Sequence, residues 1–65
     1  MWIVCEGAET ILNTNNIEDI YVGGDNTIWV ETVLKNQFKY RCCESREEAQ
    51  DELLNLFSML NKKCN

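Results

Sequence analysis

Residues 45–64 read SREEAQDELLNLFSMLNKKC, and this stretch decides the fold because all of its signals predict an α-helix. The Ser45 hydroxyl can cap the first turn, and the Glu48 carboxylate can reach back to the Ser45 amide, which is the pattern of a capping box. Apolar residues then recur every three or four positions, so they fall in one stripe along the helix. They are Ala49, Leu53, Leu56, Phe57, Leu60 and Cys64. We predict a helix over about residues 46–63 whose apolar side needs a sheet to cover.

The residues before the helix predict that sheet. Short β-branched and aromatic runs are separated by turn-forming residues, of which Gly23-Gly24-Asp25-Asn26 is the strongest hairpin signal. The predicted strands span about residues 2–6, 10–12, 17–22, 27–34 and 38–43. Their connections are short enough for antiparallel pairing. The predicted class is therefore α+β, a small antiparallel meander of four to five short strands packed on one C-terminal helix.

Length and charge limit the possible functions. A chain of 65 residues predicts a single domain with a thin core. No segment approaches the roughly 18 apolar residues of a membrane span, and no signal peptide is recognisable, so we expect a cytoplasmic protein without membrane contact. The net charge of −5 argues against nucleic acid as a partner, since binding to phosphates depends on Lys and Arg.

Catalytic and metal-binding patterns are missing from the sequence. The chain has no His, and its adjacent carboxylates, Glu18/Asp19 and Glu47/Glu48, point apart on a strand or suit the start of a helix. The four cysteines include no Cys-x-x-Cys pair, so we expect free thiols that pack as small apolar groups. They are Cys5, Cys42, Cys43 and Cys64. We predict neither an enzyme nor a cofactor or metal site.

Strand alternation sorts the side chains into two faces of the predicted sheet. The set assigned to the helix side is Ile3, Cys5, Ile20, Val22, Ile28, Val30, Leu34, Phe38, Tyr40 and Cys42. The outer set is Trp2, Val4, Tyr21, Trp29, Glu31, Val33, Lys39 and Arg41. Five of the eight outer residues are aromatic or aliphatic, and Trp, Tyr and Arg dominate binding hot spots, so we predict an interface on this face. Alternatively, the two tryptophans only stabilise the sheet, or the strand register is shifted by one residue.

The helix carries a second candidate surface, an acidic face at its amino end. It consists of Glu47, Glu48, Asp51 and Glu52. These carboxylates complement the helix dipole, and they could also contact a basic groove of a partner.

The early run Ile11-Leu12-Asn13, with Asn16-Ile17 and then Ile20, and the late run 44–49, Glu-Ser-Arg-Glu-Glu-Ala, carry a resemblance. The chain resembles a widespread type of small uncharacterised protein from Gram-positive bacteria and their phages, which has a few strands and one C-terminal helix. The resemblance implies a phage or mobile-element origin, where small acidic proteins often bind and block a host protein.

The sequence therefore favours a non-enzymatic protein-interaction module that self-associates, as a homodimer or larger oligomer, or binds and blocks a host protein, for example one of a defence system. One alternative is a binder of small anions or nucleotides, with Lys39 and Arg41 at a site between subunits. Another is a structural subunit of a larger assembly.

Overall fold

The computed structural model describes residues 1–62 and has the predicted α+β class. The strands are β1 (Trp2–Val4), β2 (Ile11–Asn13), β3 (Ile17–Val22), β4 (Thr27–Thr32) and β5 (Gln37–Cys42), and the helix is α1 (Arg46–Lys62). Short 3₁₀ turns, Glu6–Ala8 and Thr14–Asn16, flank β2. Cys64, which we assigned to the helix stripe, lies outside the described residues.

The strands form two antiparallel sheets instead of the single predicted meander. β1 pairs with β2 in a hairpin, and β3, β4 and β5 form a separate sheet in that order. The polar run after β2 explains the division, because it forms a 3₁₀ turn in which the Asn13 side chain accepts a hydrogen bond from the Asn15 amide. The Asn16 carbonyl then accepts a bond from the Val33 amide. β3 is thereby directed to β4 and does not pair with β2.

One face of β4 forms the centre of the core. Ile28 and Val30 on this face are fully buried, and they pack in one cluster with Ile3 of the hairpin and Leu56 of the helix. Burying each such aliphatic side chain stabilises the fold by about 1.5–3 kcal/mol. The helix and the hairpin therefore cover the same face of the three-stranded sheet.

Bulges in both edge strands change which side chains point inward. In β5, Ile28 pairs with Arg41 and Trp29 pairs with Lys39, so Tyr40 is an extra residue. In β3, Ile17 pairs with Thr32 and Asp19 with Glu31, so Glu18 is extra. A bulge places two residues opposite one and shifts the alternation beyond it.

The helix begins as predicted, with one change in the capping box. The Glu48 amide donates to the Ser45 hydroxyl, at 3.1 Å between N and Oγ. The Glu48 carboxylate accepts from the Glu44 amide at 2.8 Å, one residue before the predicted partner Ser45. Both bonds satisfy amides at a helix start that have no partner within the helix.

Only a narrow part of the apolar helix stripe is buried. Ala49 and Leu56 are buried and Leu53 and Leu60 are half-buried, whereas Phe57 is exposed. The β1–β2 hairpin explains this difference. Its residue Ile3 occupies part of the inner side of the three-stranded sheet, which the helix would otherwise cover.

We expect the change Leu56→Ala to lower the free energy of unfolding by about 2–5 kcal/mol, because it leaves a cavity in the centre of the core. The matched change Leu54→Ala on the exposed side of the same helix should cost less than about 1 kcal/mol. Urea titrations followed by circular dichroism measure both values. Equal losses in the two variants would contradict the packing described above.

Candidate interaction surfaces

Six of the eight residues predicted to share one outer face lie on two separate surfaces. We call Trp2, Val4 and Ile11 the hairpin face, and Asp19, Tyr21, Trp29, Glu31 and Lys39 the sheet face. The strands of the hairpin do not pair with those of the three-stranded sheet, and the inward residue Ile3 packs on the Ile28 side of β4. Trp29 alternates with Ile28 and Val30 and so points away from that side.

The hairpin face is the most exposed apolar surface formed by a pair of strands. Trp2 is 64% exposed, Val4 54% and Ile11 60%. Val4 and Ile11 are direct cross-strand partners, and Trp2 lies opposite Asn13. The side chains of residues 1–5 and 10–16 carry no charge. Ile11 was missing from the predicted interface, although its place next to Val4 could have been found by pairing the two predicted strands.

The sheet face has an aromatic row across all three strands. Tyr21 pairs with Trp29, and Trp29 pairs with Lys39. The Lys39 ammonium lies over the indole ring, with Nζ 5.9 Å from the ring centroid. Trp29 is half-buried, so it is less available to solvent than Trp2.

Gly23 creates the space in which Trp29 lies. A Cβ atom built on Gly23 would be 2.8 Å from the indole Nε1, too close for any side chain. The sequence led us to expect Gly and Asn in this turn for their tolerance of positive φ, and of its four residues only Asn26 adopts one, at 62°. Close approach of the indole ring is therefore the constraint that requires Gly23.

Beside the aromatic row lies a row of polar residues. Asp19, Glu31 and Gln37 are cross-strand neighbours on β3, β4 and β5. Asp19 and Glu31 are directly opposite each other, an arrangement of like charges that destabilises a sheet. Near this row, the Lys35 ammonium donates a hydrogen bond to the Glu18 carboxylate, at 2.6 Å between Nζ and Oε1. This hydrogen bond raises the pKa of Lys35.

Arg41 was predicted on the outer face and lies instead on the helix side. Its guanidinium bonds the Glu52 carboxylate of α1. The bulge at Tyr40 is the physical reason, because the extra residue reverses the side on which Arg41 projects. The Asn55 side-chain amide, together with Arg41, lowers the pKa of Glu52.

These contacts divide the predicted acidic helix face. Glu48 belongs to the helix cap and Glu52 to the ion pair with Arg41. Glu47 and Asp51 are exposed on the first turns of the helix.

The predicted positions of Val33 and Leu34 are wrong, because both residues lie in the turn between β4 and β5. β4 ends at Thr32, so Val33 lies in the turn and not on the sheet face. Leu34 was predicted in the core but is 79% exposed, because Lys35 adopts a φ of 69° and turns the chain outward. Next to this turn is an open groove of about 420 Å³, with Leu12 and Phe38 among its lining residues.

The three cysteines within residues 1–62 differ in how far they are buried. Cys5 is buried and Cys43 half-buried, and burial raises the pKa of both thiols. Cys42 was predicted in the core but is exposed, since the β5 bulge places it opposite Thr27, whose hydroxyl donates to its sulfur at 3.6 Å. Within residues 1–62, no three His, Cys, Asp or Glu side chains are grouped so that they could hold a metal ion.

Comparison with known proteins gives no relative: no family model, curated protein or solved structure matches the chain. In the part of the chain that the structure describes, no helix has both the length and the apolar character needed to cross a membrane.

We expect the change Gly23→Ala to displace the indole ring of Trp29 and to cost about 1–3 kcal/mol, because the added methyl group overlaps the ring. Gly24→Ala is the matched control, since a Cβ there meets no atom within 4 Å. Thermal unfolding and tryptophan emission, recorded in a Trp2→Phe background, measure both effects. Equal behaviour of the two variants would show that the indole ring does not lie on Gly23.

Proposed function

We propose that the chain is a non-enzymatic protein-interaction module and that the hairpin face is its main contact. The observation that carries this proposal is the exposure of Trp2, Val4 and Ile11 on one short strand pair. Contiguous apolar patches on small proteins mark binding surfaces, and tryptophan is enriched among the residues that dominate binding energy.

A second copy of the chain is the partner we propose for the hairpin face. With a net charge of −5, two copies repel each other over most approaches. The side chains of β1 and β2 are uncharged, although the connection between them carries Glu6 and Glu9, so repulsion is reduced where two hairpin faces meet. An apolar face without carboxylates also offers nothing that would select a basic partner. In a two-fold dimer the same patch serves both subunits.

We further propose that the dimer acts by occupancy, binding another protein and blocking its surface. The resemblance to small proteins of Gram-positive bacteria and their phages supports a mobile-element origin and a host protein, including a defence protein, as the target. A homodimer joined through its hairpin faces would leave the acidic helix residues Glu47 and Asp51 and the sheet face available for this target. A structural subunit of a larger assembly would use the same hairpin contact but would form higher oligomers.

Anion or nucleotide binding by Lys39 and Arg41 receives no support from the side-chain positions. Lys39 lies over Trp29 on the sheet face, whereas Arg41 bonds Glu52 on the helix side. Both cations are therefore already engaged within the subunit, on opposite sides of the sheet.

We expect the wild-type chain to have the mass of a dimer by light scattering at about 100 μM, and Trp2→Glu to have that of a monomer. A dimer with a dissociation constant of 1 μM is held by about 8 kcal/mol, and a buried carboxylate on each subunit would remove several kcal/mol of this. Because Trp2 is largely exposed, circular dichroism of the variant should remain that of the folded chain.

Leu34→Glu is the matched control, since Leu34 is even more exposed than Trp2 but lies in the turn between β4 and β5. This variant should keep the dimer mass. A monomeric wild type, or a dimer that Leu34→Glu dissociates and Trp2→Glu does not, would refute the proposed contact.

A further inference from the structure

We propose that the sheet face binds an arginine side chain of the target protein. This inference rests on the proposed function, because it names the chemistry by which the interaction module recognises a second protein. The sheet face is turned away from the helix and the hairpin, which both pack on the Ile28 side of β4. It combines one aromatic row with one acidic row.

The aromatic row offers a flat surface for a cation. Tyr21 and Trp29 are direct cross-strand neighbours, and the chain's own Lys39 ammonium already lies over the indole ring. Its distance of 5.9 Å from the centroid is at the outer limit of a cation–π contact. A guanidinium group stacks on an aromatic ring more closely than an ammonium group does, and it is more weakly hydrated. A partner's arginine could therefore displace Lys39 from the ring.

The acidic row offers the matching anions. Asp19 and Glu31 face each other across β3 and β4 on the side where Tyr21 and Trp29 project. The Lys35 ammonium attracts both carboxylates, but it is bonded to Glu18. A further cation placed between Asp19 and Glu31 would reduce their mutual repulsion as well as form two favourable contacts. The planar fork of a guanidinium can donate to both carboxylates while its plane lies beside the indole ring.

Charge complementarity favours this occupant over a second copy of the chain. Two sheet faces packed together would bring two Asp19 and two Glu31 carboxylates into one contact, with Lys39 as the cation that each face supplies. The hairpin face lacks charged side chains and is free of this repulsion. The two surfaces are thus suited to different partners.

The test uses a hexa-arginine peptide as the probe and the Trp2→Phe chain, in which Trp29 is the only tryptophan, at 150 mM salt. We expect saturable binding with a change in Trp29 emission. Asp19→Asn with Glu31→Gln should weaken binding about ten-fold, which corresponds to about 1.4 kcal/mol. The charge-matched pair Glu9→Gln with Glu44→Gln, which are exposed and lie outside both the sheet face and the acidic helix residues, should change it less than about two-fold.

Equal weakening by the two charge-matched pairs, or binding without a change in Trp29 emission, would overturn the inference, since attraction to net charge alone would then explain the result. This failure differs from failure of the proposed hairpin contact, which is read from the mass of the wild type without peptide. The mass of the Asp19→Asn, Glu31→Gln variant should stay that of the parent chain.

Discussion

Burial of Ile28 and Val30 on one face of β4 is the constraint on which the rest of the structure depends. These are the largest aliphatic side chains of the sheet that are fully buried, and β4 is the strand with a partner on each side. A chain of this length has too little apolar surface to cover them with one element. The helix contributes Leu56 and the hairpin contributes Ile3, and neither covers the face alone.

Sharing this face between two elements has consequences for the surface. The hairpin directs Ile3 inward, so the alternation of β1 directs Trp2 and Val4 outward. The alternation of β4 likewise directs Trp29 and Glu31 away from the core. The protein therefore has two outward surfaces with different chemistry, one apolar and without charged side chains, the other aromatic and acidic. A single sheet with one helix would have placed both tryptophans on one face.

The sequence was sufficient to predict the elements that depend on local signals. Neighbouring residues are enough to predict the Ser45 cap, the helix, the turn between β3 and β4 and the alternation within β4. The two bulges could not be predicted, because an extra residue such as Tyr40 is recognisable only from pairing with β4. That bulge moved Arg41 to the helix side and exposed Cys42. The separation of the hairpin depends on a hydrogen bond between Asn16 and Val33, residues far apart in sequence.

The role of Gly23 shows the same limit. A glycine in a turn suggests a special φ angle, but here the ring of Trp29, six residues later, requires the missing side chain. The exposed Leu34 and Phe57 are similar cases, since periodicity assigns a side chain to a face but does not show whether another element covers that face. The glycine in a turn and the apolar periodicity both predict local structure, but neither shows which other elements pack around the residue.

Trp2 and Trp29 lie on separate surfaces, and we propose that only the surface of Trp2 joins two copies of the chain. Dilution of two single-tryptophan variants, Trp29→Phe and Trp2→Phe, tests it directly through the wavelength of maximum emission. We expect Trp2 emission to shift to longer wavelength as the dimer dissociates, while Trp29 emission stays constant. A shift of Trp29 emission with constant Trp2 emission would place the contact on the sheet face and contradict the account.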